Sequence, residues 1–87
     1  VDPQQLIRLV ARVAGIPVQV VASRRRDPLS VRARIVAVHA GKLVGLTGAA
    51  IAAALGVSEQ LVSRIARHSD VPVECEAVCN ALRTEIG

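Results

Sequence analysis

At 87 residues the chain is one domain, residues 1–87, with room for a single modest core, because a chain this short buries only ~60–65% of the surface its unfolded form exposes. Hydrophobic residues make up 52% of it and none is Phe, Trp, Tyr or Met, so the core is assembled from Val, Ile, Leu and Ala, and the aromatic platforms on which single-stranded DNA and RNA stack are missing. The net charge of +4 is uneven: residues 1–70 hold ten Lys/Arg against four Asp/Glu, net +6, and residues 71–87 hold one against three, net −2, which makes the first part the candidate nucleic-acid surface.

Asp2-Pro3-Gln4-Gln5 is a helix start, with Asp2 as N-cap, Pro3 where its missing N–H costs nothing, and Gln5 placed for a reciprocal cap. Leu6, Leu9, Val10 and Val13 recur at helical spacing, Arg8 and Arg12 fall on the other side, and Gly15-Ile16-Pro17 ends the helix. Val18-Gln19-Val20-Val21 is too short for periodicity and reads as a helical turn or a strand. Residues 23–28, Ser-Arg-Arg-Arg-Asp-Pro, form a basic loop in which Asp27 can cap and Pro28 can open the next helix.

Residues 29–42 read two ways. Val31-Arg32-Ala33-Arg34-Ile35 alternates like a strand, with His39-Ala40-Gly41-Lys42 as a turn back into Leu43-Val44, while Val31, Ile35, Val38 and Lys42 also share one helix face. The next stretch is clearer. Thr47 can cap, the alanines of residues 49–54 favour helix, and Gly56 stops it; Ser58 caps again, and Leu61, Val62 and Ile65 give an apolar stripe up to Arg67. Two short helices joined at Gly56-Val57-Ser58 make a helix-turn-helix over residues 47–67. Pro72 is expected to open a last helix, residues 72–86, with Cys75, Val78, Cys79, Leu82 and Ile86 inward and Glu74, Glu76, Asn80 and Arg83 outward.

A helix-turn-helix acts by holding its second helix proud of the domain so that it enters the ~12 Å wide major groove. Glu59, Gln60, Ser63, Arg64 and Arg67 are the outward residues here. Gln60 can bond adenine bidentately, Glu59 can accept from a cytosine amino group, and Arg64 can take guanine or a phosphate. Thr47 and Ser58, at the two helix starts, complete the candidate contact set.

Residues 51–64 resemble the generic bacterial helix-turn-helix in apolar spacing, mid-motif Gly56 and following Ser58. More widely, residues 6–67 resemble the C-terminal DNA-binding domain of the bacterial replication initiator DnaA, whose fold is Trp-repressor-like. The shared features are Leu6-Ile7 to Val13-Ala14 as first helix, Gly15-Ile16 ending it, the basic run Ser23-Arg24-Arg25-Arg26, Arg32-Ala33-Arg34 entering a long helix, and Leu46-Thr47 leading into the helix-turn-helix. The resemblance implies helix, not hairpin, for residues 29–42. It also implies that Arg26, helped by Arg24 and Arg25, enters the minor groove while Arg32 or Arg34 holds phosphate. Where that family has a Gly-Gly-Arg-Asp-His-type signature, this chain has Gly56-Val57-Ser58-Glu59-Gln60, one residue shorter, so different bases are expected to be read.

Cys75 and Cys79, four apart on one helix face, are ~6 Å apart at Cβ, too far for an unstrained disulfide, and read as packed thiols. His39 and His68 give no metal-ligand spacing with them, and no Gly-rich loop with Lys-Ser/Thr cradles phosphate, so neither metal, cofactor nor catalysis is expected. His39 is expected to pack, and His68 to sit at the negative end of its helix. No apolar run reaches the ~18 residues of a membrane span and no leader precedes the first helix, so a soluble, cytoplasmic, nucleoid-associated protein is expected, with no membrane partner. The start at Val1 without Met suggests an excised or processed piece. The expectation is an all-α bundle of five to six helices that binds double-stranded DNA in replication control, transcription or transposition. The competing reading is an adaptor of the same fold that docks a partner or dimerises through its last helix.

Overall fold

The computed structural model describes residues 2–23 and 26–86, with side chains through Thr84. The fold is all-α, with six helices among the described residues: α1 (Pro3–Ala14), α2 (Val18–Val21), α3 (Pro28–Leu43), α4 (Gly48–Leu55), α5 (Glu59–His68) and α6 (Glu74–Ile86). Residues 18–21 are a single helical turn, and residues 28–43 are one continuous helix where local pattern also allowed a hairpin.

The helix boundaries follow from side chains that satisfy orphan N–H groups. Asp2 accepts from Gln4 N at 2.9 Å, Asp27 from Ser30 N at 3.2 Å, Thr47 from Ala50 N at 3.1 Å and Ser58 from Leu61 N at 3.2 Å. Gly15 and Gly56 each end a helix at φ 72°, a left-handed conformation that a Cβ would strain. Pro72 does not open α6. It is a buried residue of the connector, and the helix starts two residues later at Glu74.

α3 is the central element and touches all five other helices. From Ala33 to Gly41 all but one of its residues are buried, including the charged Arg34 and the polar His39; only Ile35 is partly exposed. Of the face expected for α3, Val38 is fully buried as expected, but Val31 and Ile35 are half-buried and Lys42 is exposed, while Ala33, Val36, Ala37, Ala40 and Gly41 also pack. Small residues allow close approach. A Cβ on Gly41 would lie 2.7 Å from Ile51 Cδ1 and 3.1 Å from Leu6 Cδ2, so α1, α3 and α4 meet at a point where only hydrogen fits.

α1 buries Leu6, Ile7, Leu9, Val10 and Ala11, and leaves Val13, an expected core residue, exposed at the end of the helix. α6 contributes Cys75, Val78, Cys79 and Leu82 to the same core, against α1 and α3. α5 is different, since it packs on α4 and α3 and buries fully only Val62, with Leu61, Ile65 and Ala66 half-buried.

Candidate nucleic-acid interface

The axes of α4 and α5 differ by 111° across the three-residue turn Gly56-Val57-Ser58. That angle falls in the ~90–120° range of helix-turn-helix units. It also explains why α5 stands out: its apolar side lies on α4 and α3, and the rest faces solvent. Glu59, Gln60, Ser63, Arg64, Arg67 and His68 are all exposed and together line one shallow depression of about 500 Å³ along α5. Arg67 and His68 occupy the last turn, where positive charge complements the helix dipole.

A second depression, also about 500 Å³, lies between the basic loop and the start of α5 and is lined by Arg26, Arg34, Val57, Ser58 and Leu61. The fold thus brings exposed Arg26 next to the N-terminus of α5. Leu61, expected to point inward, instead forms part of this wall. Ser58 and Thr47 spend their oxygens as cap acceptors, which leaves each hydroxyl hydrogen to donate outward. Arg24 and Arg25 lie outside the described residues.

The two arginines expected to hold phosphate have other tasks. Arg34 is 7% exposed and donates from Nη1 to the Ser23 carbonyl at 2.7 Å, which fixes the start of the basic loop to α3. Arg32 makes a two-pronged pair with Glu74 across the molecule, Nε to Oε2 at 2.7 Å and Nη2 to Oε1 at 2.8 Å. Glu74, expected to face outward, is drawn onto α3 by this pair. The Arg32 hydrogen bond, together with the glutamate's own backbone N–H, holds its carboxyl below the usual carboxylate range. Neither partner was legible from local pattern, since they are 11 and 42 residues away.

Buried Ser30 and half-buried Ser69, to which sequence reasoning gave no role, position the same region. The Ser30 hydroxyl donates to Asp27 Oδ1 at 2.9 Å, closing the cap that begins α3. Ser69 donates to the Ile65 carbonyl at the end of α5, so its oxygen accepts from His39 Nε2, 3.0 Å away, and α3 holds the last turn of α5 in place. Among the described residues, every buried side-chain N or O has a hydrogen-bond partner.

Cys75 and Cys79 are buried thiols, with Cys75 Sγ donating to the Val36 carbonyl at 3.5 Å, and burial pushes both upward from the ordinary thiol value. Among the described residues no three of His, Cys, Asp and Glu converge as a metal site. No single helix among them is long and apolar enough to cross a membrane. Comparison of the chain with family models, with curated proteins and with solved structures finds no match.

Proposed function

We propose that this chain is a double-stranded DNA-binding domain in which α5 enters the major groove and Arg26 engages the adjacent backbone or minor groove. The observation that carries the reading is the posture of α5: a ten-residue helix set at 111° to its predecessor, anchored by one apolar strip, with six exposed polar residues along its outer face. Such a helix fits the width of the groove and offers hydrogen-bonding groups matched to base edges, with Gln60 for adenine and Arg64 for guanine. Arg26 beside the start of the helix adds a positive contact where a phosphate or the minor groove follows. The lack of aromatic residues favours duplex over single strands. The resemblance of residues 6–67 to the initiator's DNA-binding domain extends the proposal to replication initiation or its regulation.

Fluorescence anisotropy with duplex DNA over a salt series tests the reading. Affinity is expected to fall steeply as salt rises, because cationic side chains release condensed counterions. Selection of duplexes from a random pool is expected to return a reproducible motif. Absence of binding at about 50 mM salt, where phosphate contacts are strong, would overturn the proposal.

A further inference from the structure

On a face formed by the end of α3, the connector after α5, and α6, a groove of about 370 Å³ runs along α6. Leu43, 62% exposed, and Val71, 59% exposed, form apolar parts of its wall; Val73, next along the connector from Pro72, is 82% exposed. Cys79 lies at its base, and Glu76, Asn80 and Arg83 are its polar residues on α6.

The order of those three residues identifies an occupant. Glu76 and Arg83 are seven positions apart, which on a helix is two turns, so they share a face at a separation of ~10.5 Å along the axis. The midpoint between them falls at Cys79 and Asn80. A second α6 running antiparallel about a two-fold axis through that midpoint places each Glu76 level with the other copy's Arg83, and Asn80 within ~1.5 Å along the axis of its own counterpart. An asparagine amide carries both donor and acceptor, so it can bond its own copy, and the whole strip is self-complementary as an isologous contact requires. A parallel arrangement would instead set Glu76 on Glu76 and Arg83 on Arg83. The charges of the face also balance, because Glu74 is neutralised by Arg32 and Glu76 is matched by Arg83, whereas residues 1–70 carry net +6 and repel their like.

We propose that this groove is where a second copy of the chain docks, α6 antiparallel to α6, covering Leu43 and Val71. This proposal does not depend on the DNA-binding reading. The strip is narrow, at the small end of stable interfaces, so association in the micromolar range is expected.

Sedimentation equilibrium of the protein without DNA, up to ~500 µM, reads the assembly directly. The unmodified chain is expected to dimerise. Glu76→Arg and Arg83→Glu, both at exposed positions, are each expected to weaken the dimer by at least about tenfold by setting like charges in contact, and the double exchange Glu76→Arg with Arg83→Glu is expected to restore it. Because the double variant contains both changes, its recovery separates a broken contact from a damaged fold. A monomer at the highest concentration overturns the proposal, as do single variants that dimerise like the parent, or a double variant that fails to recover. A different protein held in this groove by a chain that stays monomeric would equally overturn it.

Discussion

At the scale of single residues, the fold assigns its arginines to separate tasks, and their neighbours decide which. Arg32 and Glu74 form an ion pair at the surface, so its contribution responds to pH and salt. The Glu74 carboxyl is depressed by Arg32 in the folded state, so its contribution is present above the unfolded glutamate value of ~4.3 and is lost as pH falls through the lower folded value. Thermal melts of the parent and Glu74→Gln are therefore expected to differ at neutral pH and to converge in acid below that value; an undiminished difference in acid would mean that the pair does not account for it. On the proposed DNA-binding face, the α5 side chains proposed to read bases and the loop arginine proposed to hold the backbone are expected to differ in kind. Gln60→Ala or Arg64→Ala is expected to cost ~1–3 kcal/mol on a preferred duplex with much less effect on random DNA, whereas Arg26→Ala is expected to weaken all duplexes and lower the salt slope by about one. Anisotropy on a selected and a random duplex separates the two classes. If Gln60 and Arg64 both prove silent, α5 does not read bases.

At the scale of elements, glycines give the sharpest contrast within the helix-turn-helix. Gly48 opens α4 with ordinary backbone angles, and an added Cβ would meet nothing closer than Lys42 Nζ at 3.5 Å, so Gly48→Ala is expected to stabilise by ~0.4–1 kcal/mol by narrowing the unfolded ensemble. Gly56, at φ 72°, has open space around it too, yet Gly56→Ala is expected to destabilise by ~1–2 kcal/mol because the left-handed turn strains any Cβ. Denaturant melts of the two variants should move in opposite directions. These boundaries were legible in the sequence because they are local: Asp2, Asp27, Thr47 and Ser58 cap through hydroxyls or carboxylates within three residues, and Gly15 and Gly56 need only their own φ. The outward set of α5 was also legible, since one apolar strip at helical spacing leaves the remaining positions to solvent. The face of α3 was not, because a helix packed almost all round has no single stripe, and its contacts use alanine and Gly41, which a search for large aliphatics passes over. Nor was the fate of Arg32 and Arg34. Their partners, Glu74 and Ser23, reach them only once the chain has folded.

At the scale of the whole molecule, the core and the proposed DNA-binding face are separate, and that separation can be measured. α6 packs on α1 and α3, whereas α5 rests on α4 and α3, so the hydrophobic contribution of α6 reaches α5 only indirectly, through α3 or through α1 and α4. Leu82 is fully buried, and its truncation to alanine is expected to cost ~2–5 kcal/mol. At ~0.05–0.15 kcal/mol per residue the entire fold is worth only about 4–13 kcal/mol, so removing all of α6 is expected to unfold the chain and would say nothing about α5. Leu82→Ala is the better probe. Its melting temperature is expected to fall by roughly 8 °C or more, since each 1 kcal/mol shifts a domain of this size by ~4–8 °C. Below that transition, however, every residue of the outer face of α5 retains its support from Val62, Ser69 and His39. Duplex affinity measured there is expected to match the parent, and nearer the transition it should decline only in proportion to the folded fraction. Saturating duplex should in turn raise the melting temperature of both proteins, as a ligand that favours the folded state does. Weakened binding by Leu82→Ala at a temperature where circular dichroism reports full folding would place α6 in the DNA-contacting surface, and the division between core and interface would fail.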